Sequence, residues 1–250
     1  MQLKNIWNNL PPVTKNLLII NVIVWGALNL FSHVTTERLL NVGALHYFTS
    51  DHFLPSQLFT YMFMHESFMH LFFNMFALFM FGGIIEQVMG SKRFLFYYIS
   101  CGIGAALIQE GVFAIMISHL SDSMDPRLLG EIKMNGAAAL EKGLNFSNMA
   151  AAKLNILINI PTLGASGAIY GVLLAFGFIF PKRPIYLMFI PIPIQARWMV
   201  IGYGAIELLQ AMSNNPGDNV AHLAHLGGMI FGLLMLLWWR KKKVINVYNF

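Results

Sequence analysis

One serine, a few histidines and one asparagine are the residues of this chain whose types and spacing could do chemistry. The segment Pro161-Thr162-Leu163-Gly164-Ala165-Ser166-Gly167-Ala168-Ile169-Tyr170-Gly171 crowds small residues around a single hydroxyl. A Gly-x-Ser-Gly turn entering a helix leaves amides unpaired near the serine, and such donors can stabilise an oxyanion. Gly228 and Gly232 follow His225 at +3 and +7, which stacks all three on one helix face and lets a second helix approach the imidazole. An imidazole so placed could take a serine proton and return it to a leaving amine. His70 and Asn74, four apart, project from a common face and offer a pair of donors. Each has a plainer reading as packing: Gly167 and Gly171 make a Gly-x-x-x-Gly face, and lone polar groups hydrogen-bond between helices. His222, almost one turn before His225, is the rival base, nearer the aqueous edge.

The elements that must position these groups are apolar. Of 250 residues, 57% are hydrophobic and 11% charged, against about 25% charged in average soluble domains. Disorder is excluded by 21 Phe, 8 Tyr and 5 Trp, and a disulfide scaffold by the single cysteine, Cys101. A bilayer core about 30 Å thick needs roughly 20 apolar residues per helix. Six runs qualify, near 16–34, 57–85, 94–118, 163–180, 198–213 and 219–239. The spacing therefore predicts an all-α, polytopic membrane bundle of six helices, with 1–250 as one membrane domain. The first run is read as a retained anchor, not a cleaved signal. Gly90-Ser91-Lys92-Arg93 and Pro181-Lys182-Arg183-Pro184 break the chain between spans.

The cations orient the bundle. With a cytoplasmic N-terminus, only Arg38, Arg127, Lys133, Lys142 and Lys153 of the 16 basic residues fall outside. The net charge of +5 thus marks a membrane side and not a nucleic-acid partner. Two outside segments are long, 35–56 and an insertion at about 119–162, whose Ala-rich stretch from Gly136 to Ala152 could be helical. Spans two, four and six run the same way, so His70, Asn74, Ser166 and His225 can meet at one depth. His65 is read on the second span with His70 and Asn74, Glu86 at its inner end, Glu110 on the third and Glu207 on the fifth. Ionisable groups at such depth are costly and usually face the bundle interior.

At these residues the chain resembles the rhomboid intramembrane serine proteases. Gly164-Ala165-Ser166-Gly167 is similar to the family's GxSG, His70-x-x-x-Asn74 to its HxxxN, and Ala224-His225-Leu226-Gly227-Gly228 with Gly232 to its AHxxGxxxG. The resemblance implies a Ser166 nucleophile and a His225 general base without a third, acidic member. It also implies an oxyanion held by the Ser166 amide, His70 and Asn74, with Tyr170 packed on the His225 ring. Gly164, Gly167 and Gly228 would support the site, and Glu86 would be structural. Transmembrane protein substrates and membrane lipid are the implied partners, with no cofactor, metal or nucleic acid, in a bacterial inner (cell) membrane with both termini cytoplasmic. The family's Trp-Arg in the first outside loop is Ser56-Gln57 here, before Thr60-Tyr61-Met62-Phe63-Met64-His65, so that loop must be anchored differently.

Two other readings stand beside the protease. A membrane metalloenzyme would use His65, His70, His222 and His225, although the nearest carboxylate, Glu66, points off the His65 face. A non-catalytic rhomboid-like binding protein or transporter would make Glu110 and Glu207 its working groups.

Overall fold

The computed structural model describes residues 5, 7–30, 33–186, 193–213 and 221–248. Residues 31–32 of the first expected run and 219–220 of the sixth lie outside the described residues. Helices α1 (Pro12–Leu30), α2 (His33–Gly43) and α3 (Gln57–Thr60), with a 3₁₀ turn at Tyr61–Phe63, precede α4 (Phe68–Ala77). A π-helical segment, Leu78–Gly82, carries α4 into α5 (Gly83–Met89). Then come α6 (Ser91–Asp122), α7 (Pro126–Glu141), α8 (Met149–Asn159) and α9 (Ser166–Ile179). A small antiparallel pair, β1 (Pro184–Tyr186) and β2 (Pro193–Gln195) with Pro184 opposite Gln195, leads to α10 (Ala196–Met212) and α11 (His222–Lys241).

The protein is an α-helical integral membrane protein. Four stretches are long and apolar enough to cross a membrane: Pro12–Leu30, Phe68–Met89, Ser91–Asp122 and His222–Lys241. Outward-facing Ile23, Phe96, Ile115 and Leu234 are each at least 60% exposed, which suits lipid and not water. The fourth and fifth expected runs give shorter helices, 14 residues in α9 and 17 in α10. At 1.5 Å per residue α9 reaches about 21 Å, short of a full crossing.

The second span also starts later than expected. Met64 turns into extended backbone at φ −88°, ψ 137°, and Ser67 then caps α4 by accepting from the His70 amide at 3.2 Å. His65 therefore lies in the turn before the helix and not on it. This cap sets His70 in the first turn of α4 and Asn74 one turn later. At the other end of the span, Glu86 caps the start of α1.

The insertion is an ordered helical hairpin. Asp125 caps α7 ahead of Pro126, and Asn148 caps α8. Ile132, Ala151 and Leu154 form its buried centre, packed against Ile117 and Leu120 of α6. The Ala-rich stretch from Gly136 to Ala152 is thus two helices and not one, because the chain turns between Lys142 and Asn148.

The main core is α6, α9 and α11 packed on one another. Tyr97 donates from its hydroxyl to the Gly171 carbonyl at 2.8 Å, and Tyr61 to the Gly102 carbonyl at 2.7 Å. Both side chains are fully buried, so each bond satisfies a carbonyl and a hydroxyl that water cannot reach.

Candidate active site

Helix α9 begins at Ser166, and α11 carries His225 in its first turn. The two helices cross where Gly228 faces Gly167: a β-carbon on Gly228 would lie 1.8 Å from the Gly167 carbonyl oxygen. A β-carbon on Gly167 would lie 2.6 Å from that of Ala105 on α6. This backbone-to-backbone approach puts His225 Nε2 2.8 Å from Ser166 Oγ. His225 is buried, Ser166 half-buried.

Gly164 sits two residues before the serine at φ 124°, a conformation that favours glycine. A β-carbon there would meet His70 Nε2 at 2.7 Å and Ser166 Oγ at 3.7 Å, so the imidazole and the hydroxyl flank the same spot. The Gly164 amide donates to the Tyr61 carbonyl at 3.0 Å, which ties the turn to the chain before α4. One turn beyond His70, Asn74 is buried, and its Nδ2 has no hydrogen-bond partner among the described residues. A buried donor left open in this way costs free energy unless something accepts from it. As first residue of α9, Ser166 also has an amide with no intrahelical acceptor, at the positive end of the helix dipole.

Tyr170 lies one turn after the serine and stacks on His225, with ring centroids 4.3 Å apart and planes 9° from parallel. Its hydroxyl donates to Glu207 Oε1 in a short hydrogen bond. The other carboxylate oxygen, Glu207 Oε2, is 2.5 Å from His222 Nδ1 and 2.9 Å from His225 Nδ1. The His225 contact is close but out of line with the ring N–H, so it is not an aligned hydrogen bond. The resemblance implies a serine–histidine pair with no acid, yet here a buried carboxylate from α10 stands beside the histidine. Its membrane depth marks Glu207 in the sequence; nothing in the spacing links it to His225, because the contact joins α10 to α11.

The remaining polar groups sort into other tasks. His222 contacts Glu207, and it is His225 that reaches Ser166. His65 is buried edge-on to His70, centroids 5.0 Å apart. Among the described residues, the group within metal-ligand reach is Glu207, His222 and His225, whose ligating atoms lie within 4.8 Å of one another; the four-histidine set does not assemble. Glu110 accepts from the Phe48 amide at 3.0 Å, a tie to the loop at 35–56. Gln57 is fully buried there, donating to the Asn41 and His52 carbonyls at 2.8 Å and accepting from the His46 amide at 3.1 Å. That amide network anchors the loop that lacks Trp-Arg.

The family model for the Rhomboid domain matches residues 54–242, a range that includes His70, Asn74, Ser166, Tyr170, Glu207 and His225. The chain is similar to "Rhomboid protein 1, mitochondrial" of Saccharomyces cerevisiae, 26% identical over 178 residues. That match covers 69% of this chain and 38% of the yeast protein. The chain thus spans well under half the length of that relative.

Proposed function

The chain belongs to the rhomboid family, whose membership supports intramembrane protease activity, and on that premise we propose that it is a serine endopeptidase cutting transmembrane protein substrates. The observation that carries this reading is the 2.8 Å contact of Ser166 Oγ with His225 Nε2 at the head of α9. A substrate helix must first unwind locally, since its scissile carbonyl is otherwise hydrogen-bonded and shielded; helix breakers near the cut lower that cost. Ser166 Oγ attacks the carbonyl carbon while its proton passes to His225 Nε2. The resulting oxyanion is held by the Ser166 amide, the His70 imidazole and the open Asn74 Nδ2, with the α9 dipole behind them. Collapse breaks the C–N bond, and His225 returns the proton to the leaving amine. Water then resolves the acyl-enzyme by the same proton route in reverse.

We place both termini on the cytoplasmic side, as the distribution of Lys and Arg favours, with the site opening outward. A serine-reactive fluorophosphonate tests the reading on the full chain in detergent. The parent is expected to label and to cleave a labelled transmembrane substrate, with both activities lost in Ser166→Ala and His225→Ala. Equal labelling of all three proteins would overturn the assignment.

A further inference from the structure

We infer that Glu207 is a positioning residue for the reaction, the acidic partner that orients His225 and balances its charge when it takes the Ser166 proton. This rests on the protease reading above, which by resemblance uses a serine and a histidine alone. Three contacts converge on one buried carboxylate. Oε2 faces His225 Nδ1 at 2.9 Å and His222 Nδ1 at 2.5 Å, and Oε1 accepts from the Tyr170 hydroxyl. Tyr170 in turn stacks on the His225 ring, so the carboxylate lies against the ring edge and also holds the phenol that covers the ring face.

The tautomer follows from the geometry. Nε2 can accept from Ser166 Oγ only if the ring proton sits on Nδ1, the nitrogen that faces Glu207. When Oγ bonds to the substrate carbon, its proton moves to Nε2 and the carbonyl π pair moves to oxygen. His225 is then an imidazolium in apolar surroundings, where a carboxylate 2.9 Å away counts for far more than it would in water. Glu207 takes no proton at any step. Its own burial is tolerable because the phenol and the imidazoles surround it.

The carboxylate of Glu207 acts on rate and not on substrate binding, which gives the test its form. In the full chain in detergent, Glu207→Gln keeps the shape and removes the charge. It is expected to lower kcat and the fluorophosphonate labelling rate by about 10²-fold or more, with KM within about twofold of the parent. Glu207→Asp draws the charge back by one methylene and is expected to lose about tenfold in kcat, so it recovers part of the loss. Thermal unfolding, followed in parallel, is expected to shift little in Glu207→Asp. Parent-like kcat in Glu207→Gln overturns the inference. So does equal loss in both variants accompanied by an equal fall in Tm, which is the mark of a merely structural carboxylate. Absence of Ser166-dependent labelling in the parent would instead bring down the protease reading itself, while parent-like Glu207→Gln kinetics leave that reading intact.

Discussion

Glu86 Oε2 accepts hydrogen bonds from both the amide and the hydroxyl of Thr14, at 2.7 and 2.8 Å. Its other oxygen accepts from the Val13 amide at 3.0 Å and from the Ser91 hydroxyl at 2.7 Å. A carboxylate from the second span therefore satisfies the free amides at the start of the first, where the helix dipole also favours negative charge. Glu86→Ala is expected to destabilise the fold by about 2–4 kcal/mol, since it strands buried donors. Thermal unfolding checks this, and fluorophosphonate labelling per folded molecule is expected to stay near the parent value. A stable variant with no labelling would mean that Glu86 serves the chemistry.

Gly228 controls the separation of the proposed nucleophile and base. Gly228→Ala places a methyl group against the Gly167 carbonyl oxygen, so α9 and α11 must part. Overpacking of this kind costs about 1–3 kcal/mol. The larger effect is on rate, because a displacement near 1 Å at the reacting groups can cost about 10²-fold. The expected outcome is a folded protein with lowered Tm and a labelling rate reduced by that order; parent-like labelling would sink the idea.

In the proposed reaction Asn74 offers its Nδ2 to the oxyanion. Asn74→Ala is expected to slow cleavage about 10²-fold through kcat, with little change in KM. Because nothing among the described residues accepts from that nitrogen, Tm is expected to hold within a few degrees. A variant that loses stability but keeps its kcat would assign Asn74 to packing.

The α7–α8 hairpin can be loosened without touching the site. Asn155 donates to the Gly136 carbonyl at 3.1 Å, and a β-carbon on Gly136 would lie 2.0 Å from Asn155 Oδ1. Gly136→Val is expected to open the hairpin, read as faster limited proteolysis between residues 142 and 148. Labelling of Ser166 is expected to persist. Concerted loss of labelling would show that the hairpin supports the nucleophile.

Much of this organisation was legible in the sequence because membrane helices announce themselves by length and apolarity. The runs around α1, α4–α5, α6 and α11 are of that kind. Their ends were less legible: His65 leaves the second span because the Ser67 cap starts the helix after it, and a cap is a single hydroxyl against a long apolar signal. Periodicity placed His70 and Asn74 on one face, and the three motifs named Ser166 and His225 together. Glu207 was visible only as an ionisable residue in an apolar run. Its partners, Tyr170, His222 and His225, come from two other helices, and contacts between helices of distant sequence leave no spacing to read.

The shortness of α9 has one more consequence. Pro181-Lys182-Arg183 follows its far end, with both cations exposed. A helix of about 21 Å falls about 10 Å short of a bilayer core about 30 Å thick. The remaining depth is crossed by irregular chain, which lipid does not tolerate unless its backbone is satisfied by protein. Thr162 and Leu45 exchange both backbone hydrogen bonds at 2.8 Å, and the Gly164 amide is taken by Tyr61. The chain around Leu45 and Tyr61 thus satisfies the backbone of the turn that leads into the serine, and the seating of those two segments sets where that turn lies.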